Sequence, residues 1–193
     1  MEILENGFYY HIYNRGNNKE ILFPEREDYV YFLQLYIKYI YPIADLYCYC
    51  LIPNHFHFLL RIKEKSEILS YEIMQKQSYQ HFSNYYNAYA KYINLKYGRT
   101  GSLFQERFKR KKIDNEIYLK HLIHYIHTNP VHHEVVDDFT IYPYSSYASH
   151  LKSNLTILER EKVIEYFEDR GNYIYTHRQK ARIILIKNLI KGD

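Results

Sequence analysis

The clearest alternation of apolar and polar positions lies at residues 55–62, where Phe56, Phe58, Leu60 and Ile62 occupy every second place. Successive side chains of a strand point to opposite faces, so these four share one face and His55 and His57 share the other. Residues 46–52 form a second strand-like run, and the Pro53-Asn54 pair between the two permits only a tight antiparallel hairpin. Residues 8–15 predict a further strand, with Asn14-Arg15-Gly16-Asn17-Asn18 as turn or loop. Pro24 opens a predicted helix over 25–41 whose first turn is acidic, as the helix dipole favours, and Pro42 ends it. Residues 66–97 carry a long helical pattern, and 98–102 a flexible loop. Residues 104–113 have period two, with Arg107, Lys109 and Lys111 on one side and Phe108, Arg110 and Lys112 on the other. So basic a strand suits a sheet edge. Asp114 is the expected N-cap of a helix over 115–128, stopped by Pro130, and a helical, mixed-charge tail is expected over 155–191. The order predicts an α+β fold, an antiparallel sheet covered by helices.

Composition narrows the class. The 193 residues are 47% hydrophobic, which excludes a disordered chain and allows one domain over 1–150 with an accessory tail over 151–193. No apolar run approaches a membrane span and the N-terminus lacks the basic start of a signal peptide, so no membrane association and a cytoplasmic location are expected. Cys48 and Cys50 cannot make a disulfide framework, which leaves a reduced core role or a minor metal role. Tyr 25 against Trp 0 is unusual; no site needs so many tyrosines, so most must be structural, although the residue also stacks well on unpaired bases. The net charge is only +4, but Lys91 to Lys120 holds nine basic residues against three acidic ones, a credible phosphate-binding surface or else a solvated face.

Two imidazoles on one strand face can hold a divalent metal. In Tyr125-Ile126-His127-Thr128-Asn129-Pro130, Tyr125 and Asn129 are four apart and point from the same side of a helix end. If that helix crosses the histidine face, the Asn129 amide oxygen would suit a Mg²⁺ or Mn²⁺ ion held by His55 and His57, with Tyr125 one turn away. His121, His124 and His127 share helical spacing beside Tyr125, open to a second metal site or general base but better suited to lining a DNA channel or the helix surface. His132 and His133 carry no readable signal.

Several ordered blocks together resemble the HUH single-tyrosine transposases, in the branch associated with repetitive extragenic palindromic (REP) sequences. They are Tyr10-His11-Ile12-Tyr13-Asn14-Arg15-Gly16, then Leu51-Ile52-Pro53-Asn54-His55-Phe56-His57, then Gly101-Ser102-Leu103-Phe104-Gln105-Glu106-Arg107-Phe108-Lys109 joined to the Tyr125–Pro130 stretch. Tyr142-Pro143-Tyr144-Ser145-Ser146-Tyr147 resembles the stretch that closes the family domain, so the resemblance covers roughly residues 6–150. It implies a ferredoxin-like or RRM-like sheet with the histidines on a central strand. It also implies Tyr125 as nucleophile on single-stranded or hairpin DNA, a 5′-phosphotyrosine intermediate with later strand rejoining or transfer, and a divalent metal, Mg²⁺ or Mn²⁺, on His55, His57 and Asn129. Arg15, Arg107, Lys109, Lys111 and Lys112 are the expected DNA contacts, Arg15 having an equal case as a turn residue. Monomer and homodimer both remain open. The rival readings are a non-catalytic module that holds structured nucleic acid on the same sheet, and a hydrolase that activates water.

Overall fold

The computed structural model describes residues 2–179. Its strands are β1 (Tyr9–Arg15), β2 (Ala44–Ile52), β3 (His55–Ile62) and β4 (Lys109–Ile113). Its helices are α1 (Arg26–Tyr39), α2 (Tyr71–Met74), α3 (Ser78–Lys96), α4 (Glu116–His132), α5 (Tyr147–His150), α6 (Arg160–Tyr166) and α7 (Arg170–Arg178), joined by short 3₁₀ turns. The sheet order is β2-β3-β1-β4 and every neighbouring pair is antiparallel. With α1 between β1 and β2, and α3 between β3 and β4, this is the ferredoxin-like βαββαβ arrangement. The histidine strand is central, as the family resemblance implies, and the basic strand is an edge, as its charge predicts.

Both faces of the sheet are covered. On one, Tyr10, Ile12, Phe56, Phe58 and Leu60 pack with Phe32 and Tyr36 of α1 and with Phe82, Tyr85 and Tyr89 of α3. Each such buried side chain contributes about 1.5–3 kcal/mol, and this layer sets the register of β3. A slip of one residue would drive His55 and His57 into it. On the other face, Cys48, Cys50, Leu59 and Ile113 lie under Leu119, Leu122 and Ile126 of α4, together with Val163, Ile164 and Tyr173 of α6 and α7. Both cysteines are free thiols in this core, their pKa values raised by burial. Tyr10, Tyr36, Tyr47, Tyr85, Tyr89 and Tyr173 are fully buried, so much of the tyrosine excess is core packing. Among the described residues no helix is long and apolar enough to cross a membrane.

Four local expectations need correction. The helix expected over 66–97 is broken into a 3₁₀ turn at Lys65–Glu67, the single turn α2, and α3. The apolar stripe of Phe82, Tyr85, Tyr89 and Ile93 begins only in α3, where Gln77 and Gln80 form a capping box, while Leu69 upstream is fully exposed. The strand expected over 104–113 shortens to β4. A strict strand burying Phe104 and Phe108 would also bury Glu106; the chain leaves the ladder instead, and Glu106 stays exposed. The N-cap of α4 is Asn115, whose side chain accepts from the Tyr118 N–H at 2.7 Å, and not Asp114.

Pro130 does not stop α4, which continues to His132. The stop is a Schellman motif: Glu134 adopts φ 56°, Val135 N–H bonds the Pro130 carbonyl at 2.8 Å, and Glu134 N–H bonds the Val131 carbonyl at 3.1 Å. Of the tail, α6 and α7 pack on the core, and residues 180–191 of the expected helix lie outside the described residues.

Candidate active site

β3 pairs with β1 and β2 so that His55 stands opposite Arg15 and Ile52, and His57 opposite Tyr13 and Cys50. Directly opposite residues of an antiparallel pair share a face. His55, His57, Tyr13, Arg15 and, on β4, Lys109 and Lys111 therefore all face α4. α4 crosses this face with Tyr125 and Asn129 turned toward the strand, since positions four apart stack on one helix side. Asn129 Oδ1 lies 3.1 Å from His55 Nε2, and the Tyr125 ring meets the His57 ring edge-on with centroids 5.6 Å apart. The four predicted site residues are thus brought together, with Asn129 fully buried and Tyr125 9% exposed.

The imidazoles are held neutral. Burial pushes the His55 pKa down to about 3, aided by the nearby charge of His133, and takes His57 well below its ordinary value. Neutral imidazole is the ligating form. His55 Nδ1 donates to Asn54 Oδ1 at 2.8 Å, which leaves Nε2 as a lone pair facing the lone pairs of Asn129 Oδ1. Two acceptors so placed suit a cation between them; without one, turning the Asn129 amide over would present its Nδ2 as a donor instead. Ligands cis to one another on an octahedral ion at about 2.1 Å stand about 3 Å apart, close to the spacing found. His57 Nε2 is buried with no hydrogen-bond partner. The donor set therefore fits a divalent cation. It contains only two histidines, and among the described residues no group of three or more His, Cys, Asp or Glu side chains could hold a metal.

One histidine of the site was not singled out for it by the sequence. His11 of β1 is fully buried, with Nε2 2.9 Å from His57 Nδ1, and its pKa is pushed down to about 3 by burial and then by Lys111. Its signal was present, since His11 and Tyr13 alternate along β1 as His55 and His57 do along β3, but pairing them needs the strand order. His133 is likewise informative only in three dimensions: its ring lies across that of His55 at 4.4 Å.

Beside the histidines opens a cavity of about 330 Å³ whose walls include Arg15, Lys19, Lys109, Asn54, Gln105 and His133. Arg15 donates to Gln105, and the Lys109 ammonium lies 5.7 Å from the centre of the Tyr13 ring. Three cations beside two neutral imidazoles make an anion-attracting cleft. Lys111 lies over the Tyr118 ring on the same face. Lys112, by contrast, points to the opposite face, ion-paired to Glu5 at 2.8 Å and stacked on Phe8. Arg107 does not line the histidine cavity; it lines a groove between α3 and the 101–110 segment and a neighbouring hollow that it shares with Tyr13 and Lys109. His124 and His127 do not line a channel. His127 is fully buried, bonded to His177 Nε2 and Ser146 Oγ at 2.9 Å each, and His124 donates to the Gln179 carbonyl, because α7 docks against the reverse side of α4.

No protein-family description and no curated protein matches the chain. Among solved structures, that of a REP-associated tyrosine transposase bound to a REP hairpin matches it with a TM-score of 0.59. The match spans 81% of this chain and 87% of the other at 16% identity, a likeness that establishes a shared fold.

Proposed function

We propose that the protein is a metal-dependent transesterase acting on single-stranded DNA beside a hairpin, with Tyr125 as nucleophile. The observation that carries this reading is the convergence of His55 Nε2 and Asn129 Oδ1 at 3.1 Å, with Tyr125 one helical turn before Asn129 and against His57. It is supported by the fold shared with a transposase whose structure was determined bound to a hairpin.

In the proposed reaction the Tyr125 hydroxyl oxygen bonds to phosphorus, the bond from phosphorus to O3′ breaks, the tyrosine gives up its proton and O3′ gains one. The products are a 5′-phosphotyrosine and a free 3′-hydroxyl, and reversal by a 3′-hydroxyl rejoins strands without an external energy source. Free tyrosine, with a pKa of about 10, is a poor nucleophile at neutral pH, so positioning and charge neutralisation must supply most of the rate. His55, His57 and Asn129 would hold a divalent cation, which when bound polarises the non-bridging phosphate oxygens. Arg15, Lys19 and Lys109 would draw the phosphate backbone into the cleft.

The test is a labelled single-stranded hairpin incubated with protein and Mn²⁺ or Mg²⁺, then run on a denaturing gel that preserves covalent adducts. A metal-dependent adduct that Tyr125→Phe abolishes, with hairpin binding retained, is expected. Binding without an adduct across a varied hairpin library would replace the transesterase with a binding module, and strand cleavage without an adduct would indicate activated water.

A further inference from the structure

We infer that His11 is a positioning residue that accepts a hydrogen bond from His57 Nδ1–H and so holds His57 with its Nε2 lone pair available to a divalent cation. The inference rests on the metal-binding part of the proposed function. Two neutral imidazoles 2.9 Å apart share one proton between His11 Nε2 and His57 Nδ1. Either assignment leaves one buried donor without an acceptor, His57 Nε2–H if His11 carries the shared proton and His11 Nδ1–H if His57 does, so what separates them is that only the second leaves His57 a lone pair for the proposed cation. If His57 carries the proton, Nε2 is a free lone pair and His57 matches His55, whose Nδ1–H is anchored on Asn54. Each imidazole is then oriented from behind by a different acceptor, one from the hairpin turn and one from the neighbouring strand. Outer hydrogen bonds of this kind fix the tautomer and ring orientation of metal-binding histidines.

The surroundings of His11 fix its ring in place. It is fully buried, and the Tyr13 ring lies nearly parallel to it, 20° between planes and 4.5 Å between centroids. The His11 and His57 ring planes are 20° apart with centroids 5.1 Å apart, an arrangement compatible with an N–H···N bond between them.

Two measurements test the assignment. In ¹⁵N-histidine-labelled wild-type protein without metal, the ring nitrogen shifts are expected to show His57 as the Nδ1–H tautomer. Mn²⁺ affinity, measured by titration calorimetry, is expected to fall roughly 10–100-fold in His11→Phe, which keeps a ring beside Tyr13 but has no acceptor. His11→Gln, whose side-chain oxygen can reach the same place, is expected to recover most of it. Metal-free hairpin binding reports whether each variant is folded. An Nε2–H tautomer at His57, or unchanged Mn²⁺ affinity in a folded His11→Phe, overturns the inference whatever the adduct assay gives. Loss of affinity together with the Nδ1–H tautomer sustains it even if wild type forms no adduct, in which case the transesterase reading alone falls.

Discussion

Asn129 Oδ1 and His55 Nε2 face each other across 3.1 Å, which sets the last turn of α4 against the first residue of β3. The candidate nucleophile on that helix and the candidate metal ligands on that strand therefore meet at one place. Asn129→Ala is expected to weaken Mn²⁺ binding by more than roughly 100-fold, because losing a ligand costs more than losing a ligand's outer partner. Calorimetric titration checks this, and unchanged affinity would remove Asn129 from the metal site.

The two faces of β4 give a paired prediction. Lys109→Ala should weaken binding to single-stranded hairpin DNA and flatten the slope of log affinity against log salt by about 0.7. Lys112→Ala should leave that slope unchanged, since its ammonium faces away and pairs with Glu5. Fluorescence anisotropy over a salt series separates them, and equal losses would place the DNA on both faces.

Acid should unfold the protein early. Burial pushes the pKa values of His150 and His177 down to about 3 in the folded state, whereas in the unfolded chain they return to about 6.5. Below pH 6.5 the unfolded chain binds the extra protons, so stability is full above 6.5 and falls as pH drops toward 3. At pH 5 each group accounts for about 2 kcal/mol. Urea midpoints at pH 5 and pH 7.5 should differ less in His150→Leu than in wild type; identical differences would show that His150 does not contribute.

Glu134 holds a left-handed φ of 56° where the Schellman motif ends α4. Glu134→Gly should relieve that strain and raise stability by about 0.5–1 kcal/mol after allowing for the more flexible unfolded chain. A thermal melt that moves down instead would mean that the Glu134 side chain makes a contact worth more than the strain.

What could be read from the chain followed from periodicity. His55 and His57 share a face because Phe56 and Phe58 must share the other, and Tyr125 and Asn129 share a side because they are four apart. These relations are local; the α+β class followed from the order of the elements, and the ferredoxin-like form from the family resemblance. His11 was out of reach as a site residue because its partner is 46 positions away on a strand whose order no local rule supplies. Pro130 misled because it falls in the last turn of α4, where few further helical bonds are at stake and the Val135 and Glu134 amides close the helix beyond it. His127 looked like a neighbour of Tyr125 by number, yet two residues along a helix is more than half a turn, so it points to the other side.

That other side has a practical consequence for cutting the gene. His127 is grasped from behind by His177, and Leu122 and Ile126 are roofed over by side chains that arrive after residue 160. A fragment trimmed at residue 150, where the recognisable motifs run out, would strip the backing from the very helix that carries Tyr125. Such a minimal version should be judged first on whether it still folds, since its silence in a cleavage assay would say nothing about chemistry.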